Sequence, residues 1–96
     1  MALYFVEHRH SPDTCPARDP RMGAMLLQHL LPANAEQHGV KIQGEAVLDG
    51  QHTLVMIVEA QDAKAVKRFM QPFEQAGSVE VTAANRCETV VERGGC

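Results

Sequence analysis

Length, composition and charge narrow the possibilities before any motif is considered. The chain has 96 residues, of which 45% are hydrophobic, and this suits a single domain with a modest core. A net charge of −3 with only three phenylalanines and one tyrosine argues against the basic, aromatic surface that nucleic-acid binding needs.

The sequence also shows no pattern typical of a membrane-spanning helix or a secretion signal. No apolar run approaches the roughly 20 residues of a membrane-spanning helix, and the first residues lack the features of a signal peptide. Three cysteines, Cys15, Cys87 and Cys96, are too widely spaced for a disulfide framework. We therefore expect a cytoplasmic protein with reduced thiols, no nucleic-acid partner and no membrane.

The first predicted elements are a strand and an interrupted helix. Residues 2–10 are rich in β-branched and aromatic side chains and end at a serine-proline-aspartate turn signal, which predicts a strand. After a loop, Asp19 provides an N-cap and Pro20 suits the first helical position. Pro32 should interrupt this helix, and Gly39 should end a shorter helical segment after it.

A hairpin is predicted next. Residues 40–48 and 52–60 are strand-like runs joined by Asp49-Gly50, a dipeptide favoured in two-residue hairpin turns. Such a turn would place Val47 opposite His52.

The last predicted elements are a second helix, a strand and a tail. Asp62 should cap the helix, Gly77 should end it, and residues 78–83 alternate as a strand. The domain is expected to span residues 1–84. The tail, residues 85–96, could form a helical turn or a short strand that packs on a partner subunit.

The order βαββαβ predicts an α+β fold of the ferredoxin-like kind, with an antiparallel sheet ordered 4-1-3-2 and both helices on one face. The helices are expected to cover the face that carries Leu3, Phe5, Ile42, Val55 and Ile57. The face expected to stay open carries Tyr4, Val6, His8, His52, Leu54 and Met56. Because an open face of this kind is half apolar, we expect a second copy of the sheet to cover it in a homodimer.

A family resemblance supports this architecture. It is carried by the run from His52 to Ala60, and by Ala65-Val66, Phe69, Pro72-Phe73, Gly77 and Val79-Glu80-Val81. In this spacing the chain resembles small stand-alone proteins of the dimeric α+β barrel superfamily, several of which have no assigned function. The resemblance covers roughly residues 2–83 and implies two sheets that face each other across a dimer and enclose a pocket. It does not specify the chemistry.

The strongest chemical pattern is a set of histidines and a cysteine. His8 and His10 are two residues apart on a strand, so both side chains project from one face. The end of the first strand lies beside the start of the third in the predicted sheet, so His52 is expected near His8. Cys15 follows in the next loop and could turn back towards them. Imidazole and thiolate ligands suit zinc, copper or iron rather than magnesium or calcium.

Each of these residues also has a simpler interpretation. A histidine pair at a strand end is often only a polar, solvent-exposed terminus. Cys15 could be a nucleophile or redox thiol beside imidazoles, or a loop cysteine with no role. Cys87 and Cys96 are interpreted as incidental, although a folded-over tail could bring Cys87 to the site.

A ligand pocket is the alternative to a metal site. Tyr4, Glu45 and Met56 are predicted to line it on the open face, with His52 as a further polar contact. The sequence therefore predicts a metal-binding protein or metalloenzyme with His8, His10, His52 and Cys15 as ligands. A metal-free dimeric barrel that binds or converts a small organic ligand, or a purely structural dimer, remains open. No catalytic residue is assigned, because no nucleotide-binding or nucleophile motif is present.

Overall fold

The computed structural model describes residues 1–96 and has the predicted α+β architecture. Its strands are β1 (Ala2–His10), β2 (Val40–Leu48), β3 (Thr53–Ala60) and β4 (Gly77–Ala84). Its helices are α1 (Pro20–His29), α2 (Pro32–Gln37), α3 (Ala63–Phe69), α4 (Gln71–Glu74) and α5 (Cys87–Arg93). The four antiparallel strands lie in the order β2-β3-β1-β4, which confirms the predicted fold class.

Aspartate caps fix where the two principal helices begin. The Asp19 side chain accepts hydrogen bonds from the backbone N–H groups of Arg21 and Met22 at 3.0 and 3.3 Å. The Asp62 side chain accepts one from Ala65 at 2.9 Å. These contacts satisfy N–H groups that the first turn of a helix leaves without partners, and both starts agree with the sequence prediction.

The hairpin between β2 and β3 differs from the prediction. Leu48 pairs with Thr53, so the loop contains four residues, 49–52, instead of the two residues Asp49 and Gly50. His52 thus lies in the turn, with a left-handed φ of 49°, and not in the third strand. The register moves by two residues, and a shift of two leaves the side chains on the same faces.

The assignment of faces is wrong in the prediction. The helices cover the face that carries Tyr4, Val6, His8, Leu54 and Met56, all of which are buried. The prediction failed because Phe5, Val55 and Ile57 on the other face are equally apolar, so alternation along the strands does not distinguish the two sides. Ile42 alone of that predicted set lies on the helix-covered face, because a β-bulge between Ile42 and Gly44 turns it to the core, opposite Val58.

The core lies between this face and α3 with α4. Met56, Val58, Val66, Phe69 and Met70 are among its fully buried side chains. By contrast, α1 contains no buried residue and contacts the core through Leu26, through His29 at its C-terminal end, and through the adjoining Leu30. One end of the helix layer is therefore loosely packed, and the site described below lies there.

The far face of the sheet and the tail are exposed. Leu3, Phe5 and Val55 are half-buried on the face without helices, and Ile57 is 48% exposed there. The tail forms α5, which has no buried residue. No helix is long and apolar enough to cross a membrane.

Candidate metal centre and adjoining cavity

The end of β1 brings two histidines to the helix-covered face. β1 and β3 pair in antiparallel register up to Arg9 and Thr53, and the His10 N–H donates to the carbonyl of His52 at 3.1 Å. This bond joins the end of the first strand to the turn before the third. The sequence prediction placed His52 beside His8, but the longer turn pairs His8 with Leu54 and brings His52 to His10 instead.

Two short 3-10 turns carry Cys15 back towards these histidines. The turns are Pro12–Thr14 and Pro16–Arg18, and Cys15 lies between them. The Thr14 hydroxyl donates to the carbonyl of Ala76 at 2.9 Å, which ties the loop to the start of β4. The loop is thereby held beside the strand ends.

His10, Cys15 and His52 form a compact group of possible ligands. One donor atom from each residue lies within 4.8 Å of the other two, and all three side chains are half-buried. The rings of His10 and His52 have centroids 5.3 Å apart. Neither ring nitrogen of His10 has a hydrogen-bond partner, although both are shielded from solvent. Two imidazoles and one thiol at this spacing have the chemistry of a transition-metal site.

His8 lies behind this group and is oriented by the sheet. It is 2% exposed, and its ring centroid is 5.2 Å from that of His10 and 5.3 Å from that of Phe73. Its Nδ1 donates to the carbonyl of Ser78 at 3.2 Å, whereas Nε2 has no partner. His8 is outside the group whose donor atoms lie within 4.8 Å.

Burial favours the neutral form of both strand histidines. Desolvation lowers the pKa of His8 below 6.5, and the charge of His10 lowers it further, while the bond to Ser78 partly opposes the change. Desolvation also lowers the pKa of His10, with a second contribution from His52. Neutral imidazole is the form that binds metal ions.

A cavity of about 680 Å³ adjoins the histidines. It lies between α1 and the β2–β3 hairpin, on the helix-covered side. Its apolar lining includes Leu27 and Ala24 of α1, Val47 of β2, and Leu54 and Phe73 from the core. His8, His10, Cys15 and His52 line it as well.

The three residues predicted to form the ligand pocket lie on the helix-covered side of the sheet, where Glu45 pairs with Met56. Tyr4 is 9% exposed and Met56 is 1% exposed, and both belong to the core beneath the helices. They were predicted on the wrong face, although Met56 also borders a smaller cleft of about 200 Å³ beside Phe5, Val55 and Ile57. Glu45 is exposed and lines the cavity beside α1 instead.

The remaining histidines and cysteines lie elsewhere. His29 donates through Nε2 to the carbonyl of Phe69 at 2.6 Å, and His38 donates through Nδ1 to the carbonyl of Asn34 at 2.9 Å. Cys87 and Cys96 are exposed free thiols in the tail. These residues do not belong to the metal-type group.

Sequence reasoning missed several residues that shape the site. Ser78 was not identified because its contribution is a backbone carbonyl, which carries no side-chain signal. Leu27 lies outside the apolar stripe of α1, so the helical periodicity gave it no role. In the structure it is 70% exposed and lines the cavity. Phe73 was read as part of the core alone.

Comparison with known proteins places the whole domain in one family. No curated protein matches the chain significantly. A model for a domain of unknown function, DUF3303, matches residues 4–95 and so covers β1 through α5. The chain belongs to the DUF3303 family.

Proposed function

We propose that the protein binds a transition metal ion through His10, Cys15 and His52. The observation that carries this proposal is the approach of their three donor atoms to within 4.8 Å of one another. These residues come from a strand, a loop and a turn, and hydrogen bonds to neighbouring strands fix two of those segments.

The donor set favours zinc, with copper and iron as the other candidates. Zinc prefers nitrogen and sulfur ligands in a tetrahedral arrangement, and magnesium and calcium prefer oxygen. Three protein ligands would leave one coordination position free, which is the pattern of zinc sites that bind a water or a substrate. The proposal assigns no reaction.

Two further observations support the proposal. Both ring nitrogens of His10 are buried without a partner, and a buried polar group left unsatisfied costs about 1–3 kcal/mol. A bound ion would satisfy one of them. A thiolate ligand also requires a reduced cysteine, and all three cysteines are free thiols, which supports a cytoplasmic location for this function.

His8 is the candidate for a fourth ligand. Ligating histidines usually donate their second N–H to a carbonyl or carboxylate, which fixes the tautomer. The bond from His8 Nδ1 to Ser78 has this form and leaves Nε2 free.

Titration with zinc, after removal of bound metal by a chelator, tests the proposal. His52→Ala and Cys15→Ser should each weaken zinc binding by at least about 10-fold, because each removes a ligand. His38→Ala is the matched control and should bind zinc like the unaltered protein, since His38 bonds only within its own helix region. His8→Ala should weaken binding similarly if His8 completes the coordination.

Elemental analysis of the purified protein provides an independent check. A protein that contains no metal and takes up no zinc, copper or iron on reconstitution would contradict the proposal. Unchanged affinity in both His52→Ala and Cys15→Ser would contradict it equally.

A further inference from the structure

The cavity beside α1 has the size of a binding site for an organic molecule. Its volume of about 680 Å³ falls within the range of about 300–1,000 Å³ that is typical of small-molecule sites. The walls are mainly aliphatic, from Leu26, Leu27 and Leu30 on one side and Val47, Leu48 and Leu54 on the other. An apolar molecular body would replace water at these walls favourably.

Charge at the cavity limits what can bind. No lysine or arginine lines it, whereas Glu45 and Asp49 both do. A carboxylate or phosphate would find no cation among the lining residues and would be repelled by these two side chains. The lining therefore favours an uncharged ligand.

An unsatisfied hydrogen-bond acceptor lies behind the histidine end of the cavity. The carbonyl of Ser78 can only accept, so His8 Nδ1 must carry the proton of that bond. In a neutral imidazole this leaves Nε2 as a bare acceptor, and Nε2 is buried without a partner. The group that satisfies it must therefore supply a proton donor or be a metal ion.

We propose that this cavity binds an uncharged, mostly apolar small molecule that carries a hydroxyl group. The hydroxyl lies at the histidine end and donates to Nε2 of His8, while the apolar body lies between α1 and the hairpin. The hydroxyl reaches Nε2 when the ring of His10 turns aside, since that ring makes no hydrogen bond that would hold it. The site does not require a metal ion.

Three probes of matched shape test the chemistry in metal-free protein. The probes are 2-naphthol, which has the hydroxyl, 2-methoxynaphthalene, which lacks the donor, and 2-naphthoate, which is anionic. Calorimetric titration should show that 2-naphthol binds at least about 10-fold more tightly than either of the others, the scale of one buried hydrogen bond. The pair 1-octanol and 1-methoxyoctane makes the same comparison for an aliphatic alcohol. Whether the hydroxyl compound is preferred in the naphthalene pair or in the octane pair shows whether the site favours a phenol or an alkanol.

Two variants of neighbouring residues in α1 test the location. Ala24 is exposed and lines the cavity, so Ala24→Trp should fill it and weaken binding of 2-naphthol by at least about 10-fold. Met25 is 66% exposed and does not line the cavity, so Met25→Trp should leave binding unchanged. Both substitutions are on the surface, and circular dichroism should show that both variants fold.

A third variant tests the acceptor. His8→Phe should retain an aromatic ring at this position and bind 2-naphthol and 2-methoxynaphthalene equally. The proposal is overturned if metal-free protein binds none of the probes, if neither 2-naphthol nor 1-octanol binds more tightly than its methyl ether, or if Ala24→Trp binds the preferred hydroxyl compound like the unaltered protein. These measurements use no metal, so they fail or succeed independently of the zinc titration.

Discussion

Two neighbouring imidazoles at the end of β1 respond to acid differently from free histidine. Burial is the main cause of the lowered pKa values of His8 and His10, and each also faces a neighbouring imidazole, His10 and His52 respectively. The unfolded chain therefore takes up protons at a higher pH than the folded protein does. Protonation opposes folding at these positions.

The free energy of unfolding of the metal-free protein should decrease as the pH falls below about 6.5, the ordinary value for histidine. Below this pH the unfolded state binds more protons than the folded state, so its population rises. Urea denaturation at a series of pH values measures the effect. His10→Asn should show a smaller decrease than the unaltered protein, because it removes one of the two buried imidazoles. A pH-independent free energy between neutral pH and the onset of carboxylate titration would contradict the argument.

At the residue scale the sequence predicted that His52 meets the histidines at the end of β1, but not which of them it contacts or how they are held. Antiparallel pairing of the first and third strands was enough to bring His10 and His52 together. The hydrogen bond from His8 Nδ1 depends on the register between β1 and β4, and neither strand's own residues specify that register. Tyr4 and Met56 were misplaced because their face of the sheet was wrongly assigned.

At the scale of elements, the contact between β1 and β4 is closest at a glycine where their pairing ends. Gly77 pairs with His10, and a Cβ atom at Gly77 would overlap the carbonyl oxygen of Arg9. The neighbouring residue, Ser78, supplies the carbonyl that orients His8. The start of β4 is therefore packed tightly against the strand that carries the histidines.

Gly77→Ala should lower the free energy of unfolding by about 1–3 kcal/mol, because the added methyl group displaces backbone atoms of β1. Gly44→Ala is the matched control in β2, where a Cβ atom meets nothing within 4 Å. It should leave stability unchanged or raise it slightly, since alanine restricts the unfolded chain more than glycine does. Thermal and urea denaturation compare the two variants. Equal effects of the two substitutions would show that the close approach of β1 to Gly77 does not exclude a methyl group.

The number and type of elements could be read from the sequence because caps, prolines and strand patterns agree along the chain. The hairpin loop and the β-bulge could not. A four-residue loop and a two-residue loop give Asp49-Gly50 the same local signal, and the bulge between Ile42 and Gly44 arises from pairing with β3. The loop length and the bulge both depend on how β2 pairs with β3, which neither strand's sequence shows by itself.

At the scale of the whole molecule, the sheet presents an apolar face that nothing in the chain covers. Leu3, Phe5, Val55 and Ile57 lie on this face, opposite to the helices. A chain of 96 residues buries only a modest share of its surface, so a partner adds useful burial. We expect a homodimer in which these faces meet, as in the dimeric α+β barrels that the sequence resembles.

Ile57→Lys should convert the dimer to a monomer, because it places a charge at the centre of the apolar face, where Ile57 is 48% exposed. Leu31→Lys is the control, since Leu31 is 53% exposed on the helix side of the sheet. Light scattering should give twice the chain mass of 10.5 kDa for the unaltered protein and for Leu31→Lys. Unaltered protein that is monomeric at micromolar concentration, with no loss of stability on dilution, would rule out this arrangement.

The left-handed turn residue His52 has a consequence for how this chain can change during evolution. A non-glycine residue at a φ of 49° costs about 1 kcal/mol relative to a relaxed backbone, and glycine would remove that cost. Selection for stability alone would therefore favour glycine at this position, whereas the proposed metal site requires the imidazole that lines the cavity. A variant with glycine at this turn would be more stable, and a variant with histidine would keep the imidazole, so no single residue provides both.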